Sequence, residues 1–263
     1  MLLRLKVLAI IPALVLANWS TTPFAQGIDH PCAKGSPVIG QVESGTPLKV
    51  QLQGEDALFG LASLIIVDAK NANGAIRTDA NVLIYNLTDK PDRYGRRLGQ
   101  LFLVTPDSPE PFWYQGALLE AGLALFDGQG EQNDCTRAML AAERLGQKSR
   151  AGKWFSSALE SKSDDLQELK RLGGYFGIVR GRVISVGDRK RTLYLNFGRN
   201  WREDFTVIVP KTGKSAYKGS LSFLKNLAGK TIRVRGLLQQ AGGPMIRVMQ
   251  EAQIETEAFQ NQD

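Results

Sequence analysis

The chain has 263 residues, of which 43% are hydrophobic and 22% are charged, and its formal net charge is +7. This length suits one large or two small domains, and the composition is that of a globular protein, without low-complexity tracts or internal repeats. His30, Cys32 and Cys135 are the only histidine and cysteines. Three such residues exclude a structural zinc site, which takes four ligands.

Residues 1–26 have the pattern of a signal peptide. Two basic residues precede an apolar run, 7–17, that only Pro12 interrupts. The run is too short to span a bilayer comfortably, and no cysteine ends it, which disfavours a lipid-anchored signal. Cleavage after Ala17 or after Ala25 fits the sequence. We expect an exported protein, periplasmic or secreted, with no transmembrane segment in the mature chain. An uncleaved N-terminal anchor is the alternative.

The two cysteines are an even number in a chain with an export signal, which permits a disulfide between Cys32 and Cys135. The Gly- and Pro-rich segment around Cys32 would gain from such a tether. Two independent thiols are the alternative, because the sequence does not show how close the residues lie. His30 lies in the same leader, a poor place to hold a catalytic base. A solvated or capping histidine is expected.

In the first predicted domain, 27–155, 15 Asp/Glu slightly outnumber 13 Lys/Arg. Runs of apolar and β-branched residues predict its strands, and apolar residues at three-to-four spacing predict its helices. The predicted elements are strands 48–52, 61–68, 81–87 and 98–104, the last ended by Asp107-Ser108-Pro109, a turn at 71–74, and helices 113–126 and 135–151, the second with Asp134 as its N-cap and with Cys135, Ala138, Met139, Ala142 and Leu145 along one side.

Four landmarks occur in order between Asp92 and Trp154. They are Asp92-Arg93-Tyr94-Gly95-Arg96, Leu119-Glu120-Ala121-Gly122-Leu123-Ala124, Glu143, and Gly152-Lys153-Trp154. In this order they resemble the second half of the staphylococcal nuclease-like, or thermonuclease, family, and together they are more specific than any one motif. The resemblance implies a five-stranded Greek-key barrel of the OB type with packed helices.

The resemblance also implies a catalytic set, most of which this chain lacks. In the family, acids hold a calcium ion, a glutamate activates or orients water, and two arginines neutralise charge on the phosphate. Here Glu43-Ser44-Gly45-Thr46-Pro47 stands where an Asp-Gly-Asp-Thr turn is expected. Ser63 stands at the position of one arginine and Asn71 at that of the glutamate. Asp68 and Arg96 alone remain.

These replacements remove the chemistry of the site. Asn71 does not accept a proton at neutral pH, and Ser63 does not make the charge-assisted contacts of a guanidinium group. Losing one electrostatic stabiliser typically costs about a hundredfold or more in rate. With Asp68 as the one carboxylate, calcium would bind weakly. We expect a degenerate nuclease domain with no cofactor, or with calcium if activity persists.

Structural roles are the alternative for the surviving residues. Asp68 follows a predicted strand and precedes a turn, where a capping carboxylate is common. Arg96 can pair with Asp92 or Asp89 on the surface. Tyr94-Gly95 can form a tight turn, with the tyrosine packed on the barrel.

A polar connector, 156–172, whose second half is expected to be a short helix, leads to a basic domain, 173–255, followed by a tail, 256–263. The basic domain has 15 Lys/Arg against 5 Asp/Glu, a net charge of +10. Its predicted elements are strands 178–186, 192–197, 205–209, 231–238 and 245–249, with a helix over 220–227. Five strands with a helix before the fourth are typical of a small OB-like barrel. The segments 179–183, 195–198 and 229–236 resemble strands of OB-type domains that accompany exported nuclease-like domains in bacteria.

Strand alternation places five arginines of the basic domain opposite apolar residues. A barrel has one inner face, so all five should point outward: Arg180, Arg182, Arg233, Arg235 and Arg247. With Tyr194, Trp201 and Phe205 nearby, they are candidates to follow a nucleic-acid backbone and stack its bases. A solvated basic face, or attraction to anionic lipid or polysaccharide, is the alternative.

Two classes of function follow. In the first, the degenerate nuclease domain and the basic domain form an exported, non-catalytic module that binds nucleic acid or another polyanion. In the second, the protein is a metal-dependent endonuclease or phosphodiesterase that uses Asp68 and Arg96 with replacement groups such as Glu43 or Asp56. The substituted motif positions favour binding. The sequence does not indicate an oligomeric state.

Overall fold

The computed structural model describes residues 28–256 apart from 46–47, 53–54, 74–80, 106–107, 131–132, 157–158 and Trp201. The predicted signal peptide and residues 257–263 of the predicted tail lie outside the described residues. The described chain belongs to the α+β class, with more strand than helix, as the sequence predicts. In this part of the chain no helix has the length and apolar character needed to cross a membrane. Below, the first region is 28–156 and the second region is 160–256.

The first region combines one large sheet, a two-stranded sheet and three helices. Its elements are β1 Val38–Gly45, β2 Leu48–Leu52, β3 Glu55–Leu61, β4 Leu64–Ile66, α1 Ala69–Asn73, β5 Asn81–Tyr85, β6 Arg97–Thr105, β7 Ser108–Trp113, α2 Tyr114–Glu120, β8 Ala124–Phe126, α3 Asp134–Lys148 and a 3-10 helix, Gly152–Ser156. The large sheet has the order β3, β2, β1, β5, β6, β7, and β4 pairs with β8. Because β3 also pairs in parallel with β6, five strands form a closed ring.

One core joins the ring to the helices. Val82 and Ile84 of β5 and Leu101 of β6 are buried in it, together with Leu119 of α2 and Leu140 of α3. These strand residues alternate with others that point to the opposite face, as the pleat of a strand requires. Burial of each large apolar side chain contributes about 1.5–3 kcal/mol.

The predicted late helix is present, but its first turn differs from the prediction. The side chain of Asn133 accepts a hydrogen bond from the Thr136 N–H at 3.0 Å, so Asn133, and not Asp134, is the N-cap of α3. Met139 and Ala142 are buried as predicted, whereas Leu145 is 55% exposed. The apolar spacing identified the helix but placed one residue of its buried side incorrectly.

The predicted helix over 113–126 is too long. It ends at Glu120, and Gly122 then adopts a φ of +65°. A Cβ atom at Gly122 would collide with the carbonyl oxygen of Ala151, so glycine is required where this turn meets the segment after α3. The chain therefore turns, and Ala124–Phe126 forms β8.

Three further predictions in the first region differ from the structure. The strand predicted over 61–68 breaks at Ser63, whose φ is +62°, so β3 ends before it and β4 begins after it. The turn predicted at 71–74 overlaps α1. Sequence reasoning missed β7 because Pro109 and Pro111 indicate a loop, yet both lie on an edge strand, where a missing N–H is tolerated.

The leader segment is fastened to the outer face of β5 and β6. Cys32 is fully buried and forms a disulfide with Cys135 at the start of α3, which is the pairing that the sequence predicts. His30 packs against Phe102 and Trp113, with ring centroids 5.2 and 4.5 Å away, and its Nδ1 accepts a hydrogen bond from the Cys32 N–H. Burial lowers the pKa of His30. The histidine is a packed capping residue, which agrees with the structural role predicted for it.

The second region is built around an eight-stranded sheet. Its elements are β9 Glu160–Lys162, α4 Leu166–Arg171, β10 Phe176–Arg182, β11 Ser185–Asp188, β12 Thr192–Asn196, β13 Thr206–Pro210, α5 Leu221–Lys225, β14 Thr231–Ala241, β15 Gly243–Arg247, a 3-10 helix, Glu251–Gln253, and β16 Ile254–Thr256. The strand order is β11, β12, β13, β15, β14, β10, β9, and β16 pairs with β14. The β13–β15 and β9–β10 pairs are parallel. Each predicted strand of the second domain coincides with at least one of these strands.

The segment predicted as a connector, 156–172, is largely part of the second region. Glu160–Lys162 forms β9, and the predicted short helix is α4, whose Leu169 is fully buried in the core of the second region. The polar composition of this segment suggested a linker because only one face of each short element is apolar. Its buried contacts mean that a boundary at residue 173 cuts through a packed core.

A buried network of ion pairs joins the two regions. Arg235 of β14 donates to both carboxylate oxygens of Glu143 of α3, at 3.0 and 2.8 Å, and to the carbonyl oxygen of Phe126 at 2.8 Å. Arg235 also pairs with Glu255 of β16. Arg233 pairs with Glu255 at 3.2 Å and with Glu160 at 2.8 Å. Burial alone would raise the pKa of Glu255, but the two guanidinium groups outweigh it and lower the pKa.

The prediction that all five arginines of the second region face solvent is wrong for Arg233 and Arg235. Their side chains project from the face of β14 that Val234 does not occupy, as strand alternation requires, but they are only 3% and 0% exposed. The reason is that the first region covers this face of β14, where a Cβ atom at Gly128 would lie 2.6 Å from Gln253 Cγ. Both arginines are therefore removed from the set of residues available to a polyanion.

A largely buried carboxylate beside this interface predicts a dependence of stability on pH. Burial raises the pKa of Asp127 to about 6. The folded-state pKa is above the unfolded-state value, so the folded protein holds a proton on Asp127 that the unfolded chain has already lost. The free energy of unfolding should therefore fall as pH rises from about 4 to 6. Asp127→Asn should raise the free energy of unfolding by about 1–3 kcal/mol at pH 8 and by much less at pH 4. Urea unfolding at both pH values measures this.

The matched control is Asp89→Asn, which removes an exposed carboxylate of the same charge. Asparagine at position 127 keeps the oxygen that accepts the Gln129 N–H at 2.7 Å, so the turn should survive. Equal or lower stability of Asp127→Asn at pH 8 would contradict the prediction.

Candidate functional site

Asp68, the acid that the sequence matched to the thermonuclease pattern, caps a helix. Its carboxylate accepts hydrogen bonds from the Asn71 N–H at 3.3 Å and from the Asn71 side chain at 3.0 Å. Lys153 Nζ lies 3.7 Å from Asp68 Oδ2. These hydrogen bonds from Asn71, and then the lysine, lower the pKa of Asp68. The arrangement stabilises the first turn of α1 and agrees with the structural alternative for Asp68.

Arg96, the surviving arginine, pairs with Asp92. Its Nε and Nη2 atoms donate to Asp92 Oδ2 at 3.0 and 2.8 Å, and Asp92 Oδ1 accepts the N–H groups of Tyr94 and Arg96. The hydrogen bonds from Arg96 lower the pKa of Asp92. Gly95 has a φ of +76°. Tyr94 is 59% exposed, with the guanidinium of Arg96 5.1 Å from its ring, so the predicted packing of Tyr94 on the barrel is wrong.

The residues at the substituted motif positions have local structural roles. Ser63 donates to the Gln129 carbonyl oxygen at 3.4 Å, and Asn71 is committed to Asp68. The side chains of Glu43 and Asp56, the possible replacement acids, lie outside the described part of the structure. Among the side chains that are described, no three His, Cys, Asp or Glu residues are grouped as metal ligands.

The described residues do not fit the calcium ion of the thermonuclease family. Asp68 offers one carboxylate, both of whose oxygens already accept hydrogen bonds or face Lys153. Calcium takes six to eight oxygen ligands, and its affinity follows the charge that they carry.

A different concave site lies on the outer face of the second region. It is a cavity of about 470 Å³ formed by β11, β12, β13, β15 and the turn between β14 and β15. Its lining residues are Gly187, Arg189, Tyr194, Asn196, Asp204, Thr206, Ile208, Ala241, Gly243, Pro244 and Met245. The cavity has the size of a small-molecule pocket, for which the typical range is about 300–1,000 Å³.

Strand register explains how these residues come together. Gly187 is opposite Tyr194, Tyr194 is opposite Ile208, and Ile208 is opposite Arg247. Directly opposed residues project from the same face of a sheet. The exposed Arg247 therefore continues the row of side chains that begins inside the cavity, and Arg189 lines the cavity from the β11–β12 turn.

Asp204 gives the cavity a negative charge within its basic surroundings. Its Oδ2 accepts a hydrogen bond from the Asn200 N–H at 2.7 Å, which fixes the carboxylate over the β12–β13 connection. A Cβ atom at Gly198 would collide with this carboxylate, so glycine makes room for it. The position of Asp204 is thus determined by its own turn.

The structure brings together some of the predicted binding residues and separates others. Tyr194 and Arg247 share the cavity face. Arg180 and Arg182 are exposed on β10, which β14 and β15 separate from β13 in the sheet. Trp201 lies outside the described residues.

Sequence reasoning did not identify several members of the cavity. Arg189, Asp204 and Ile208 were not among the predicted binding residues. Strand alternation around the buried Val207 and Val209 was the available signal for Ile208.

Comparison of the sequence with models of known protein families gives no match, and comparison with curated proteins gives no match either.

Proposed function

We propose that this protein is an exported, non-catalytic nucleic-acid-binding protein, in which a degenerate thermonuclease-like region supports a basic OB-type region. The cavity face of the second region carries this proposal. Tyr194, Arg189 and Arg247 lie there on one surface, in a region with a net charge of +10 between residues 173 and 255. Cationic groups neutralise phosphates, and an aromatic ring stacks with bases.

Strand order supports the OB-type assignment of both regions. An OB fold is a five-stranded Greek-key barrel that binds ligands on the face of its second and third strands and through the adjoining loops. In the first region, the closed ring runs β1, β2, β3, β6, β5 and includes one parallel pair. In the second region, β13 and β15 form one of two parallel pairs, and the cavity lies over β12 and β13.

The state of the motif residues supports the absence of catalysis. Asp68 caps α1, Arg96 is held by Asp92, and Asn71 offers no base. An arginine that is already paired with a carboxylate must give up that pair before it can neutralise a phosphate. In this proposal, the described part of the first region serves as a packing surface for the second region.

The full mature chain is expected to bind single-stranded DNA without cleaving it, in the presence or absence of calcium. Affinity should fall steeply with salt because each phosphate contact releases condensed counterions. The double variant Arg189→Ala, Arg247→Ala should weaken binding and reduce the slope of log K against log salt by about 1.4, since each contact to a single strand contributes about 0.7. Fluorescence anisotropy at four salt concentrations measures both quantities.

A matched control removes two arginines of the first region. The double variant Arg137→Ala, Arg150→Ala makes the same change in net charge and should leave the slope nearly unchanged. DNA digestion that EDTA abolishes and that Asp68→Ala removes would instead support the alternative hypothesis of a metal-dependent nuclease. Binding that does not respond to salt, or no binding at low salt, would overturn the proposed function.

A further inference from the structure

The carboxylate of Asp204 constrains what can enter the cavity. It lines the cavity together with Tyr194, Asn196 and Thr206, while Arg189 is an exposed cation of the same lining. A phosphate or sulfate placed inside would meet this carboxylate at short range and be repelled. The charged groups of a bound polyanion therefore belong on the rim, near Arg189 and Arg247, and an uncharged group belongs in the cavity.

The remaining lining favours a flat, partly apolar group. Tyr194 provides an aromatic face, and Ile208, Pro244 and Met245 provide apolar surface. The side chain of Asn196 is engaged with Ser185 Oγ at 3.1 Å, which holds it in place beside the tyrosine. A nucleobase is a planar ring with polar edges that stacks on aromatic side chains. Each nucleotide of a single strand also carries one uncharged base and one phosphate, so a base can enter the cavity while the neighbouring phosphates contact the basic rim.

We propose that the cavity takes one unpaired nucleobase and selects bases that present an amino group to Asp204. This inference rests on the proposed function and adds its specificity. Cytosine and adenine carry an exocyclic amino group that donates to a carboxylate, whereas thymine presents two carbonyl oxygens beside its single N–H. Asp204 repels those carbonyl oxygens and accepts the amino donors. Oligo-dC and oligo-dA bind more tightly than oligo-dT.

The test compares labelled oligo-dC, oligo-dA and oligo-dT of equal length by fluorescence anisotropy, with the full mature chain at one salt concentration. Oligo-dC is expected to bind about tenfold more tightly than oligo-dT, the discrimination of one good base contact. Asp204→Asn keeps an oxygen for the Asn200 N–H but adds an amide donor, so the preference for oligo-dC should disappear and binding to oligo-dT should improve. Thermal unfolding of each variant confirms that it is folded.

Tyr194 provides the second arm of the test. Tyr194→Leu should weaken binding to all three oligonucleotides by about tenfold, because the stacking surface is lost. Tyr194→Phe keeps the ring and should weaken binding much less than Tyr194→Leu does. Heparin, whose rings carry sulfates, should bind the wild type and Tyr194→Leu equally.

The outcomes separate this inference from the proposed function. Base selection would be overturned if the three oligonucleotides bind with equal affinity and Tyr194→Leu has no effect. If Arg189→Ala, Arg247→Ala still weakens binding in that case, the proposed polyanion binding stands. Weaker heparin binding by Tyr194→Leu would assign the cavity to a sugar ring and overturn the inference. No binding of any oligonucleotide at low salt would overturn both.

Discussion

Arg235→Met is expected to lower the free energy of unfolding by about 3–5 kcal/mol, the cost of leaving a buried charge without its partner. Arg235 is fully buried, and it holds Glu143 from the first region and Glu255 from the second. Methionine fills much of the same space but removes the guanidinium group from both Glu143 and Glu255. The loss should destabilise both regions together, because the contact joins them. Urea denaturation followed by tryptophan fluorescence measures the change.

A double-mutant cycle shows whether the unpaired charge is the cause. Glu143→Gln keeps the oxygen that accepts the Phe126 N–H at 2.9 Å and removes the charge. Combined with Arg235→Met, it should recover part of the lost stability. Arg171→Ala, which breaks an exposed pair with Glu168, is the surface control and should cost less than about 1 kcal/mol. A loss below 1 kcal/mol for Arg235→Met would show that the network contributes little.

Removal of the disulfide is expected to have an effect of similar size. Cys32 and Cys135 are separated by 103 residues in the sequence. Closing a loop of this length restricts the unfolded chain and stabilises the folded state by about 2–5 kcal/mol. Reduction should therefore lower the midpoint of urea denaturation, and it should loosen the leader segment that covers Tyr85 and Phe102.

The chemistry of the bond and its energetic effect are checked separately. Thiol titration of unreduced, denatured protein that has been expressed in a bacterial periplasm should find no free thiol, and two thiols per chain would show that the bond does not form. The Cys32→Ala, Cys135→Ala variant removes the bond permanently and should show the same loss of stability. Reduced wild-type protein is its matched control, because it lacks the bond but keeps both sulfur atoms. Identical midpoints for oxidised and reduced protein would contradict the stabilisation.

Local patterns were sufficient for elements that are apolar over several consecutive or regularly spaced residues. Apolar spacing predicted α3, and runs of apolar and β-branched residues predicted β5, β6 and the five strands of the basic domain. The structural alternatives for Asp68 and Arg96 were also accessible, since Asn71 and Asp92 lie within four residues of them.

Breaks in those elements were not accessible from local patterns. Ser63 divides a continuous apolar run, and Gly122 ends α2 where the carbonyl of Ala151 approaches. The atoms nearest to Gly122 belong to a segment beyond α3, so the residues that surround position 122 in the sequence do not reveal why glycine is needed there. The cavity poses the same problem, because Arg189, Asp204 and Met245 belong to elements that meet only through the pairing of β11, β12, β13 and β15.

The arginines of β14 separate what the sequence determines from what the tertiary structure determines. By itself, the sequence determined that Arg233 and Arg235 project from the face opposite Ile232 and Val234, because successive side chains of a strand alternate. It did not determine whether water or protein covers that face. Only the tertiary structure decided this, by placing Glu143 and Phe126 of the first region against β14. A charged side chain can be buried when carboxylates and carbonyl oxygens replace its hydration, and those partners come from distant parts of the chain.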